Sequence, residues 1–293
     1  MTADLTEIRF RHPEAIGAAL RARTPFPGLD SLAATPSGTG SLLLIAADHP
    51  ARGALDVAGD PMAMADRGDL IDRIVEALGR PGVHGFLGAA DLIEELTLRG
   101  ALEGKLVLGS MNRGGISGAT FALDDRFTAY SAAGIAKARL DGGKMLLRID
   151  PSDPATVATL QACAHAVDDL ADQRLIALVE PFLCRRDGAV TTNILTPEAV
   201  IRTIAIASGL GNTSAYTWLK VPCVAEMERV MAATTLPTLI LGGEVSRDTD
   251  ATLTSWGSAL RLPGVRGLVV GRALLYPPDG DVAGAVDAAA SLL

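Results

Sequence analysis

The chain has 293 residues, of which 48% are hydrophobic, 20% charged and 4% aromatic, with 31 glycines and a formal net charge of −8. That acidic balance excludes a protein that grips nucleic acid through a broad basic face. No stretch approaches the roughly 18 uninterrupted apolar residues of a membrane span, and the N-terminus lacks the basic-then-apolar pattern of a signal peptide.

Taken in chain order, the sequence reads as alternating strands and helices. A helix is expected near 13–23. The first apolar run covers 42–47, and a glycine- and proline-punctuated loop over 53–64 is long enough to act as a lid. A helical pattern at 68–78 leads to apolar runs at 83–87 and 106–108. The fourth run, 144–149, precedes a helical pattern at 154–171, and the fifth, 175–179, precedes one at 197–208. The sixth, 216–221, is followed by helical spacing over 225–234, and runs at 238–241 and 267–270 complete the series. Asp153 before Pro154 and Thr196 before Pro197 each offer an N-cap followed by proline in the first helical turn.

The eight runs recur at a mean step of about 32 residues, the size of one strand–helix unit. They are apolar throughout instead of alternating, as strands covered on both faces require. The expected fold is α/β: a (β/α)8 TIM barrel with an N-terminal helical extension. It is expected as one domain over 1–293, with the extension over 1–40 covering the barrel floor and the barrel over 41–293. An open doubly wound sheet is the competing architecture. The absence of a GxGxxG after the first run weakens its dinucleotide-binding form.

Cys163, Cys184 and Cys223 are odd in number and lack a CxxC pair, which suits reduced thiols in a cytoplasmic protein. His12, His49, His84 and His165 show no HxxxH or HExxH spacing, so a histidine-built metal site is not expected, and no cofactor is expected either.

Lys220 is the most informative residue. It lies in Tyr216-Thr217-Trp218-Leu219-Lys220-Val221-Pro222, an apolar, β-prone run. Burial there disfavours the ammonium form, lowers the pKa and yields a neutral amine able to attack a carbonyl. A plainer reading is a lysine whose stem is buried and whose head reaches water. In a barrel the active site lies at the C-terminal ends of the strands, which makes other polar residues there candidates. Asp48 follows the first run, Lys144 and Asp150 bracket the fourth, and Glu180 ends the fifth. Gly242, Gly243 and Glu244 end the seventh, and Gly271 and Arg272 the eighth. Each has an ordinary alternative. Asp48 can cap a turn, Asp150 before Pro151 can open one, and Glu180 can be a solvated strand end. Lys144 can be a floor lysine paired with a carboxylate, and the glycines can simply make tight turns.

With those residues in order, the chain resembles the class I, Schiff-base aldolases of the tagatose-bisphosphate aldolase type, in the larger group with deoxyribose-phosphate aldolase. The resemblance rests on Ala46-Ala47-Asp48, with His49, Pro50 and Ala51 intervening before Arg52-Gly53, and on the strand from Lys144 to Asp150. It also rests on Glu180-Pro181, Leu219-Lys220-Val221-Pro222 with its proline displaced, Gly242-Gly243 with Val245-Ser246, and Gly271-Arg272-Ala273. It implies a lyase in which Lys220 forms an imine with a ketose phosphate and Lys144 depresses the pKa of Lys220. Glu180 would shuttle protons, and Asp48 would take the proton from the hydroxyl that becomes the aldehyde. Gly242, Gly243, Gly271 and Arg272 would hold phosphate. Arg113, Arg148 and Asp150 would complete the substrate site, with Arg52 and Arg247 as further cations for a second anionic group.

The products implied are dihydroxyacetone phosphate and an aldehyde. The stretch Thr213-Ser214-Ala215-Tyr216-Thr217-Trp218-Leu219-Lys220 resembles proteins of inositol breakdown, which implies 2-deoxy-5-keto-gluconate 6-phosphate as substrate. Tagatose 1,6-bisphosphate, fructose 1,6-bisphosphate and sulfofructose 1-phosphate stay open. So do a deoxyribose-phosphate aldolase-like enzyme and a barrel that binds a sugar phosphate without turnover, as a metabolic sensor. The expected partner is thus a small sugar phosphate, with no nucleic acid and no membrane. The Ala-rich patterns at 155–171 and 282–293 are expected to pack subunits into a homo-oligomer, each barrel holding a complete site.

Overall fold

A computed structural model describes residues 2–34, 40–112, 116, 118–188, 190–243, 245 and 248–293. Nine strands lie among them: β1 (Leu42–Ala47), β2 (Gly85–Gly88), β3 (Leu106–Ser110), β4 (Gly142–Ile149), β5 (Ile176–Asp187), β6 (Val190–Asn193), β7 (Thr217–Pro222), β8 (Thr238–Leu241) and β9 (Val265–Val270). All but β6 pair in parallel, in the order β1-β2-β3-β4-β5-β7-β8-β9, and β9 returns to β1. The ring is closed: this is a (β/α)8 barrel.

Helices follow the strands: α1 (Thr2–Arg11) and α2 (Glu14–Ala22) precede the barrel. Then come α3 (Arg67–Gly79), α4 (Ala90–Leu98), α5 (Ala132–Lys137), α6 (Ala155–Asp172), α7 (Pro197–Ser208), α8 (Met227–Met231), α9 (Thr249–Leu260), α10 (Arg272–Leu275) and α11 (Val282–Ala290). Thr196 caps α7 as its sequence suggests, accepting a hydrogen bond from the Ala199 amide. The Asp153 carboxylate accepts from the Ala155 amide at 2.9 Å, while α6 begins at Ala155. The helix expected over 225–234 shortens to α8, because Glu226 takes a left-handed backbone conformation (φ 55°) that no helix continues through.

Alternate strand residues point in and out, which builds two cores. Leu42, Leu44, Leu108, Leu178, Leu239 and Val269 fill the barrel; Leu43, Ile45, Val107, Val179 and Val270 pack under the helices. The floor differs in detail from expectation. Leu32, in the 3-10 turn Leu29–Ala34, packs with the inner core, and the half-buried Phe26 packs against it. Helix α2 instead sends Leu20 to the outer core, against α4. The buried Arg23 side chain ties the crossing segment down, donating to the carbonyls of Lys105 (2.9 Å) and Arg139 (2.7 Å).

Closure depends on Gly267. It has φ +138°, and a Cβ there would sit 1.9 Å from the Leu42 carbonyl oxygen, so β1 and β9 pair only because no side chain intervenes.

The β5–β7 seam matters most for the site. Its ladder runs only from Ala177–Thr217 to Val179–Leu219. The Ala177 amide donates toward β7, so the Pro181 nitrogen, four residues on, faces the same way, past the last paired residue. The same parity turns the Pro222 nitrogen toward β5, also past the ladder. Two prolines therefore sit where a missing N–H forfeits no bond, and the strands part just above Glu180 and Lys220. Glu180 is thus not the tip of its strand. Strand β5 continues to Asp187 and turns at Gly188 (φ +60°) into antiparallel β6.

Among the described residues no helix is long and apolar enough to cross a membrane. The three cysteines are free.

Candidate active site

Lys144, Glu180 and Lys220 project inward from neighbouring β4, β5 and β7, and Asp48 enters from the end of β1. They form a chain of alternating charge. Lys144 Nζ lies 2.8 Å from Asp48 Oδ2 and 2.5 Å from Glu180 Oε2, and Lys220 Nζ lies 2.9 Å from Glu180 Oε1. All are buried, Lys144 with 1% of its surface exposed and Lys220 with 4%.

The two ammoniums fare oppositely. Burial disfavours the Lys144 cation, but Asp48 and Glu180 together outweigh it and hold its pKa above the ordinary lysine value. Lys220 has one carboxylate in contact. Burial, reinforced by the Lys144 charge and opposed by Glu180, lowers its pKa. Desolvation is therefore the leading cause at Lys220, and repulsion from Lys144 a lesser one. Burial alone would raise the Glu180 and Asp48 carboxyls; the lysines, Lys144 foremost, carry both below the ordinary range. Lys144 is thus a fixed cation and Lys220 the amine that gives up its proton more readily.

Above this chain opens a cavity of about 980 Å³ at the C-terminal end of the barrel, large enough for a sugar phosphate. Lys220 and Glu180 line it, as do Arg148, Gly242, Gly243, Gly271 and Arg272. Asp48 and Lys144 lie behind the lining. Arg148 also donates to the Ala122 carbonyl at 2.6 Å. Arg272 donates to the Asp56 carbonyl at 3.3 Å, which ties the loop over 53–64 to the end of β9. A Cβ on Gly271 would stand 2.5 Å from the Ala46 carbonyl oxygen, so the backbone runs bare beside the cavity.

Asp150 is not among the residues that line the cavity. Its Oδ1 accepts from the Ser152 amide and hydroxyl, and its Oδ2 from the Arg186 amide. Those bonds satisfy the carboxylate and make it the anchor of a turn. Arg113, Glu244, Ser246 and Arg247 lie outside the described residues.

Several lining residues escaped the sequence reading. Thr191, Thr192 and Asn193 of β6 form one wall, and the Asp187-Gly188 turn followed by a β-prone run was a hairpin signal that could have found them. His49, at the 3-10 turn after β1, lines another side, next to the expected cation Arg52. The signal for His49 is its place directly after the carboxylate at a strand end.

A barrel with a buried two-lysine, two-carboxylate centre beneath a cationic, glycine-edged cavity is a small-molecule site at the catalytic face of its fold. Comparison with known proteins narrows this. The chain belongs to the Cgl0159-like family, whose model matches residues 40–290. It is 48% identical to Cgl0159 from Corynebacterium glutamicum, over 99% of this chain and 96% of that one, with a TM-score of 0.93. The fold also resembles class I aldolases at low identity. An archaeal fructose 1,6-bisphosphate aldolase is 17% identical (TM-score 0.65, 90% of this chain, 98% of that one). A fructose-bisphosphate aldolase from Slackia heliotrinireducens is 17% identical (TM-score 0.62, 87% and 86%). No curated protein matches.

Proposed function

We propose that this protein is a class I aldolase that cleaves a phosphorylated ketose through an imine on Lys220. The observation that carries the reading is the unequal lysine pair on Glu180. A site that only bound a sugar phosphate would not need one ammonium held charged beside an amine biased toward neutrality. Lys220 attacks the ketone, and Glu180, in contact with its amine, passes protons as the carbinolamine forms and loses water. Lys144 keeps the region cationic and, with Asp48, holds Glu180 in place. Once formed, the iminium is the electron sink for the carbanion, the task a metal performs in other aldolases. The bare backbone at Gly242, Gly243 and Gly271, with Arg272, receives the phosphate. The products are dihydroxyacetone phosphate and an aldehyde, and 2-deoxy-5-keto-gluconate 6-phosphate leads the ketose bisphosphates as substrate.

Borohydride reduction in the presence of dihydroxyacetone phosphate tests the reading. The reduced adduct is expected on Lys220, located by peptide mass. An adduct on Lys144 would exchange the roles of the two lysines, and no adduct on either would remove the aldolase reading.

A further inference from the structure

Cleavage needs a base for the hydroxyl proton, and resting on the aldolase reading above, the cavity offers few. Asp48 is sealed behind the lining, 2% exposed, with its Oδ2 held by Lys144. Among the described lining residues the other ionisable groups besides arginines are Glu180, Lys220, Cys223 and His49. Glu180 has one oxygen on Lys144 and the other on Lys220, and Lys220 is the nucleophile. Cys223 lies near Ser255, its sulfur 3.0 Å from the Ser255 hydroxyl.

His49 has what the others lack. His49 lines the cavity, and its Nδ1 is buried with no hydrogen-bond partner, 3.8 Å from Asp48 Oδ1. A proton on Nδ1 faces the carboxylate, which leaves Nε2 as the lone-pair nitrogen. The charged groups around the ring are Asp48, Arg52, Arg272 and Lys220. Burial, opposed by Asp48 and reinforced by the three cations, holds the imidazole neutral, its pKa lowered to about 3. A substrate phosphate seated at Arg272 offsets one of those repulsions, so the ring gains basicity as substrate arrives.

We infer that His49 is a further catalytic residue, the base that takes the proton from the hydroxyl β to the imine carbon, with Asp48 as the residue that positions it. Nε2 removes the proton, and the O–H electron pair closes the aldehyde C=O. The bond between the α and β carbons breaks, and its pair neutralises the iminium to leave an enamine on Lys220. The imidazolium then returns its proton to the enamine carbon, and water hydrolyses the imine. No proton or electron is left over. Asp48, opposite Nδ1, stabilises the imidazolium while it exists.

The test separates imine formation from cleavage. His49→Gln should trap dihydroxyacetone phosphate on Lys220 as the unsubstituted protein does. Its cleavage of whichever ketose the unsubstituted protein splits (2-deoxy-5-keto-gluconate 6-phosphate, tagatose or fructose 1,6-bisphosphate) should fall roughly 100- to 10,000-fold. Added imidazole should restore part of the activity of His49→Ala. Cleavage by His49→Gln within about threefold of the original would overturn the assignment, as would loss of trapping together with cleavage, which marks a merely structural ring. An unsubstituted protein that traps but cleaves none of the three would also overturn it, whereas one that never traps sinks the aldolase reading itself. Should both variants fail to fold, diethyl pyrocarbonate on the unsubstituted protein replaces them. Modification mapped to His49 must abolish cleavage and spare trapping; modification that leaves cleavage intact refutes the role.

Discussion

Replacing Lys144 with methionine tests the buried charge chain most directly. The substitution keeps the volume and removes an ammonium that two carboxylates share at 2.8 and 2.5 Å. Asp48, 2% exposed, then loses the ammonium it pairs with and keeps only the neutral imidazole of His49 nearby, 3.8 Å away. Stripping one partner from a buried pair costs roughly 3–5 kcal/mol, on the order of 10 °C in Tm for a chain of this size. The deficit should depend on pH with a definite sign. Lys144 has a raised pKa in the fold, so its contribution is present below the ordinary lysine value, about 10.4, and is lost as pH rises through the folded one. Asp48 and Glu180 have lowered pKa values, so theirs is present above about 4 and is lost as pH falls through the folded values. The gap in Tm between the two proteins should therefore be widest from about pH 4 to 10 and narrow on either side. Thermal melts from acid to alkaline pH, with borohydride trapping at each point, measure both effects. A melting temperature within about 2 °C of the original at neutral pH would refute the reasoning, because it would mean that the carboxylates do not depend on Lys144.

Arg272→Ala should raise KM for a ketose phosphate on the order of 10- to 100-fold, the worth of a charge-assisted contact, while saturating dihydroxyacetone phosphate still traps on Lys220; steady-state kinetics showing an unchanged KM would move the phosphate elsewhere. Gly267→Ala should destabilise the barrel by at least about 1–3 kcal/mol, since its Cβ meets the Leu42 carbonyl at 1.9 Å; an unshifted denaturation midpoint would contradict that close approach.

Much of the molecule was legible along the chain. Runs such as 42–47 and 238–241 coincide with strands because apolar periodicity is local, and so is the cap at Thr196. Polar residues at the ends of such runs pointed to the cavity for a similar reason: charge on a buried strand is costly wherever the chain later leads, so Lys144, Glu180 and Lys220 announced themselves. Tertiary structure alone decided their relations. Lys144 and Asp48 are 96 residues apart in sequence and 2.8 Å apart in space, and only barrel closure assigns two carboxylates to one lysine and one to the other. Which lysine is the fixed cation follows from that division, not from either local run. Asp150 and His49 make the same point in opposite directions. Both are polar residues at strand ends, yet backbone amides and the Ser152 hydroxyl consume the Asp150 carboxylate while His49 lines the cavity. A sequence records that a polar group sits at such an end; the neighbours that satisfy it or leave it available come from distant segments, and the folded barrel brings them together.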